Sequence, residues 1–205
     1  KISSTKYFMW AADDDTRSRD YLEKNFYFLE NNESYVGSTL QTRFQGGHFD
    51  PVRMGDASLY HEDFAKRIIN FFGTWHANGR FYSLFRRAEI VPWIEKDRNF
   101  LGSDWTLITY LASKGKLNRI DTGWVELGTN GISNKTDIFA PFRTNLILWL
   151  IPFYHLSLDT WSLMSQAKLS QRTILAIHLI FLNFQAFLLQ HKFIFNRQFG
   201  IKGKR

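Results

Sequence analysis

The stretch FMWAADDDTRSRDYLEKNF, residues 8–26, decides how this chain reads. An apolar run over 7–12 stops at three consecutive carboxylates, Asp13, Asp14 and Asp15, and a helical pattern follows. Residues 6–12 (KYFMWAA) fit a short buried strand. Over 19–31, Tyr21, Leu22, Phe26, Phe28 and Leu29 recur at helical spacing, with Ser18 placed to cap the helix. Three adjacent aspartates repel one another, so something has to offset them. At the carboxyl end of a buried strand, where ligands bind in open α/β sheets, hard oxygen donors suit Mg2+ or Mn2+. The other use of such a triplet is to cap the following helix and complement its dipole.

Outward from this stretch the alternation continues. Residues 34–44 (SYVGSTLQTRF) read as a strand, 45–58 as a Gly-rich loop and 59–72 (LYHEDFAKRIINFF) as a helix. A strand is expected over 79–86 and a short helix over 87–95. Residues 103–114 (SDWTLITYLASK) predict a helix stopped by Gly115, with a last strand over 117–127 and a polar loop over 128–137. Strands alternating with helices predict an α/β sandwich. The composition shifts near 140, because 144–156 and 173–195 are almost wholly apolar. That divides the chain into a body, 1–140, and a helical extension, 141–205.

A length of 205 residues allows one substantial domain with an appendage. Hydrophobic and aromatic fractions of 44% and 17% exclude a disordered chain. There is no cysteine, which excludes disulfides and thiolate metal sites. The net charge of +7 is localised. The last acidic residue is Asp159, and Lys168, Arg172, Lys192, Arg197, Lys202, Lys204 and Arg205 beyond it supply the whole excess. A neutral body with a basic, apolar tail points to an anionic membrane surface and away from nucleic acid, whose readers spread basic residues over the docking face. The chain opens at Lys1 directly before a strand, which reads as a cut through a larger protein.

A second stretch, NGRFYSLFRRAEIVPWIEKDRNFLGSDWTLITYLASKGKLNRI (78–120), joins the first. It has an aromatic strand, a basic pair, a spacer, and then Gly-Ser-Asp-Trp entering a helix that closes with Lys-Gly-Lys. Together with KYFMWAADDD and YLEK upstream, it resembles family 2 glycosyltransferases of the GT-A fold, over about residues 6–133. Those enzymes carry a strand ending in a DxD-type cluster and, roughly ninety positions later, an acidic residue entering a helix. The resemblance implies a partial GT-A (nucleotide-diphospho-sugar transferase-like) sandwich whose N-terminal nucleotide-binding unit lies outside this sequence. It implies an inverting, metal-dependent transfer of a sugar from a nucleotide-diphosphate donor to a hydroxyl of a glycan or lipid-linked acceptor. By position, Asp104 corresponds to the catalytic base. Asp15 and Asp13 correspond to the metal site, Asp14 contacts the donor, and Trp105 walls the acceptor pocket or packs in the core. The family often has an aspartate where Ala12 stands, which leaves the DxD register open. Mn2+ or Mg2+ is the expected cofactor.

The remaining residues carry weaker signals. At a helix N-terminus Asp104 is expected to be stabilised as the anion, with its basicity lowered. Arg86 and Arg87 read as a solvated pair or a phosphate contact. His48, His61 and His76 lack metal-ligand spacing and read as non-catalytic. The 128–133 loop (GTNGIS) has the composition of a segment that closes over a donor. Other function classes that fit are a nucleotidyltransferase of related fold and a non-catalytic carbohydrate-binding or scaffold protein. The tail is long enough to span a bilayer over 173–195, but His178, Asn183, Gln185 and Gln190 would be costly against lipid. The expectation is a helical hairpin, with 144–156, that lies on the inner face of the cell membrane or packs against the body.

Overall fold

A computed structural model of the chain describes residues 4–96, 98–128 and 137–198. The architecture is mixed α/β, built on five strands: β1 (Tyr7–Phe8), β2 (Thr16–Arg17), β3 (Tyr35–Phe44), β4 (Leu84–Arg86) and β5 (Lys116–Leu127), in the order β1-β4-β3-β5-β2. β3 is the central strand and is buried along most of its length, as a strand flanked on both edges should be. It pairs parallel with β5 from Tyr35↔Lys116 to Phe44↔Leu127, and β4 pairs antiparallel on its other side. The outer strands β1 and β2 are two residues each and close opposite edges. Residues 9–15 therefore cross the sheet from one edge to the other, over the ends where β3 and β5 finish.

Helix α1 (Tyr21–Glu30) packs on β3 and β5, and α2 (Pro51–Met54) is a single turn. Three more helices, α3 (Phe64–Phe71), α4 (Arg87–Ile94) and α5 (Ser103–Lys114), separate the parallel strands. Helix α5 is the hub. It touches α3, α4, β3 and β5, with Leu107, Ile108 and Leu111 fully buried. Burying three such side chains stabilises its position by roughly 5–9 kcal/mol, so the N-terminus of α5, where Asp104 sits, is a fixed point.

Several expected elements are shorter in the structure. The 6–12 strand is only β1, because the following residues leave the sheet to cross its end. Ser18 does not cap α1. Its hydroxyl accepts the Trp124 N–H at 3.1 Å and its own N–H donates to the Trp124 carbonyl, stitching β2 to β5. The 59–72 helix starts at Phe64, capped by Asp63, while Leu59 exchanges two backbone hydrogen bonds with Leu117. The first half of the 79–86 strand is a 3-10 turn, Gly79–Tyr82. The 45–58 loop holds α2, capped by the Asp50 carboxylate, which accepts from the Val52 and Arg53 N–H groups.

The extension shares the core of the body. It forms α6 (Leu146–Leu150), α7 (Tyr154–Leu163) and α8 (Leu169–Gln198). Phe153, Leu156, Met164, Leu175, Leu179 and Leu182 belong to the same apolar cluster as Leu107, Ile108 and Phe85. Gly102, the residue before α5, shows how tightly the two parts meet. Its φ is +81°, and a Cβ there would lie 2.7 Å from Leu156 Cδ1 and 3.0 Å from Phe153 Cδ1. Only glycine satisfies both demands.

Candidate active site

Because β3 and β5 are parallel, both present their carboxyl ends at one end of the sheet, and the 9–15 crossing lies over that end. A cleft of about 700 Å³ opens there. Phe44 and Leu127, the last residues of β3 and β5, line it together with Asp14 and Asp15 from the crossing and Asp104 from α5. Residues separated by some ninety positions thus face one space (Asp104 lies 89 positions after Asp15).

Asp15 is the most enclosed of the triplet, its side chain 3% exposed. Oδ1 accepts the Gly128 N–H at 3.1 Å, whereas Oδ2 is buried without a hydrogen-bond partner. The nearest cation to Oδ2 is Arg17 Nη2 at 3.8 Å, beyond hydrogen-bond length. Asp14 packs over Gly128 so closely that a Cβ there would fall 2.1 Å from Asp14 Oδ2. Asp13 differs. It is exposed and does not line the cleft, so the structure separates it from the pair with which the sequence grouped it. Among the described residues no group of three or more His, Cys, Asp or Glu side chains could hold a metal by itself. Asp15 with its unpartnered oxygen and Asp14 beside it match instead a Mg2+-like site, which takes one or two carboxylates and fills its remaining positions with waters and substrate phosphate oxygens.

Asp104 stands in the first turn of α5, half-buried. Its Oδ2 accepts the Asn78 side-chain amide at 2.9 Å. Burial pushes its carboxyl above the usual carboxylate range, against the Asn78 amide and nearby backbone N–H groups, which lower it. That corrects the sequence expectation: desolvation outweighs the helix terminus, and Asp104 is a stronger base than a surface aspartate. Asn78 is itself unusual, since among the described residues it alone, apart from glycines, has positive φ (55°). Its N–H donates to His76 Nδ1 at 3.0 Å, and His76 Nε2 pairs with the Phe71 carbonyl at 3.0 Å. Those two bonds fix the ring as the neutral Nε2–H tautomer. Burial, with Arg80 nearby, depresses the His76 pKa to about 4.

Aromatic rings form the remaining wall. His76 stacks on Trp105 (4.3 Å, 14°), Trp105 stacks on Phe153 (6.1 Å, 19°), and Trp75 tilts against both Trp105 and Phe153. Trp105 lines the cleft but is largely buried in this stack, while Trp75 is 36% exposed. Tyr82 also faces the cleft. Its phenol is pushed up to about 12, first by burial and then by Asp15, Asp104 and Asp14. One hydroxyl therefore feels all three carboxylates and stays protonated.

Neither Asn78 nor Tyr82 is a candidate by sequence, although the Asn-Gly pair at 78–79 is a signal for positive φ. Arg86 is neither solvated nor at the cleft. It donates to the carbonyls of Tyr35 (2.8 Å) and Asn32 (3.3 Å), tying α1 to β3. His48 and His61 lie outside the cleft, and His61 Nδ1 accepts the Asp63 N–H. Of the 128–133 loop, residues 129–133 lie outside the described residues, as do the terminal cations Lys202, Lys204 and Arg205. No family model and no curated protein matches the chain.

Proposed function

We propose that this chain carries the diphosphate-facing and acceptor-facing part of an inverting, metal-dependent glycosyltransferase with a GT-A-type fold, acting at a membrane. The observation that carries the reading is the meeting of Asp14, Asp15 and Asp104 in one cleft at the carboxyl ends of parallel strands. In such a reaction an acceptor hydroxyl attacks the anomeric carbon, the bond from that carbon to the nucleotide diphosphate breaks, and the acceptor proton leaves. Asp104 takes that proton, helped by a carboxyl that burial has made more basic. Asp15 and Asp14 would hold Mn2+ or Mg2+, which when bound supplies positive charge against the leaving diphosphate. Tyr82, kept protonated, can donate a hydrogen bond to the same oxygens. Trp75, 36% exposed, offers a ring to the acceptor side, and Trp105 backs it from within the stack.

One helix, Leu169–Phe195, is long and apolar enough to cross a membrane, and this supports seating at the inner face of a cell membrane. A panel of nucleotide-diphosphate sugars with Mn2+ tests the activity through release of nucleoside diphosphate. Asp104→Asn should lower turnover by about 10²–10⁴ without weakening Mn2+ binding. Turnover equal to that of the native protein would remove Asp104 from the chemistry.

A further inference from the structure

The cleft and the most apolar surface of the molecule share one stretch of chain. Phe142 and Phe153 line the cleft, and between them runs α6, on which Leu146 is 69% exposed and Ile147 53%. Alongside, α8 turns Ile177, Ile180, Phe181, Phe184 and Leu188 outward, all more than half exposed. Two of its polar residues point the other way. Asn183 Oδ1 accepts the Phe153 N–H at 2.8 Å, the Asn183 amide donates to Ser157 Oγ at 3.0 Å, and the Gln190 amide bonds to the Trp149 carbonyl. Asn183 and Gln190 are thus turned into the protein, while His178 and Gln185 are half-buried. The sequence sets all four against lipid contact, and the fold removes that conflict for the first two. What remains outside is an apolar face that inverts the usual polarity of a surface helix.

A groove of about 640 Å³ runs between α6, α7 and α8, lined by Leu150, Ile151, Leu158, Trp161, Ile180 and Phe184 among others. The charge on α8 itself has one sign. No acidic residue follows Asp159, and Lys168 and Lys192 are exposed towards the two ends of the apolar stretch of α8. A second copy docked two-fold on this face would set Lys168 against Lys192, cation on cation. Anionic lipid meets both the apolar area and the charge.

We infer that the acceptor is lipid-anchored. The faces of α6 and α8 seat on an anionic bilayer with α8 in its plane, because the other side of α8 is held by α3 and α7. The apolar chain of the acceptor occupies the α6–α7–α8 groove, and its polar end enters the cleft beside the Phe142–Phe153 wall. The acceptor assignment rests on the glycosyl-transfer reading of the cleft, whereas the seating does not.

The test separates the two. The protein is floated with phosphatidylglycerol or phosphatidylcholine vesicles, with Ile177→Glu/Phe181→Glu, on the apolar face of α8 but outside the groove, as the variant. Both positions are exposed, so circular dichroism and thermal melting should stay native. The native protein should float with phosphatidylglycerol, and the variant should bind at least about tenfold more weakly. With a long-chain alkyl glucoside in the vesicles as hydroxyl acceptor, the variant should lose transfer by a similar factor while keeping donor hydrolysis in solution. Absence of flotation, or equal flotation of the variant, overturns the seating. Transfer to a water-soluble sugar as fast as to the alkyl glucoside overturns the lipid-anchored acceptor. Flotation without hydrolysis or transfer of any donor leaves the seating intact and removes the cleft reading, and the acceptor with it.

Discussion

Replacing Asn78 with glycine isolates the one side-chain amide that addresses the Asp104 carboxylate. Asn78 sits at φ 55, ψ 47, which glycine adopts without strain. Asn78→Gly therefore keeps the backbone path and the N–H bond to His76, and deletes only the 2.9 Å bond to Asp104. A hydrogen bond to a charged acceptor is worth about 1.5–3 kcal/mol, and about 1.4 kcal/mol moves a pKa by one pH unit. Asp104, already raised by burial, should then titrate higher still. The stability effect has a definite sign. A carboxyl whose folded pKa lies above its unfolded value stabilises the fold fully below the unfolded value, and that contribution is lost as pH rises through the folded one. The variant extends that loss, so near neutral pH it should cost about 1.5–3 kcal/mol beyond the backbone entropy of glycine, and less in acid. Carbon-13 NMR of labelled aspartate reads the titration, denaturation at pH 4 and pH 8 reads the stability, and the acid limb of the rate profile should move with the carboxyl. If the Asp104 titration stays in place in a folded variant, Asn78 does not tune the base and the reasoning is wrong.

Asp15→Asn should weaken Mn2+ binding in the presence of a nucleoside diphosphate by at least about tenfold, because the amide can still accept the Gly128 N–H but lacks the anionic Oδ2. Asp13→Asn, at an exposed position, should leave it unchanged, and Mn2+ electron paramagnetic resonance that showed equal losses would put the site elsewhere. His76, with its pKa depressed to about 4, contributes stability that is present above its unfolded value near 6.5 and is lost as pH falls towards 4, by about 3 kcal/mol in all. His76→Gln should flatten stability across that window, and an unchanged pH dependence would show that the ring titrates normally.

What was legible in the sequence were the long elements with a regular burial pattern. Expected over 103–114, α5 spans Ser103–Lys114; β3 and β5 begin within one residue of their expected starts, and α1 lies inside 19–31. Their apolar residues repeat often enough to outvote local noise. The short pieces misled because tertiary partners decide them. Leu59 belongs to a bridge with Leu117, Ser18 to Trp124, and Arg86 to the carbonyls around β3. The two halves of the candidate site stand out by composition, as an aspartate triplet and a Gly-Ser-Asp-Trp helix start. Which aspartates of the triplet face inward depends on how residues 9–15 cross the sheet, and no local pattern encodes that. Nor does any pattern place Tyr82 among three carboxylates from two distant segments.

The parallel pairing of β3 with β5 has a kinetic consequence. Its partners are about eighty positions apart, from Tyr35↔Lys116 to Phe44↔Leu127, and the Asp15–Gly128 bond spans 113. Contacts of such high order must close long loops before they gain any enthalpy, so they form late and slowly. Helix α5 can coil early, but the floor beneath it is laid last. The three carboxylates therefore converge only once the whole chain has docked, and a nascent or partly unfolded molecule presents no charged cleft at all.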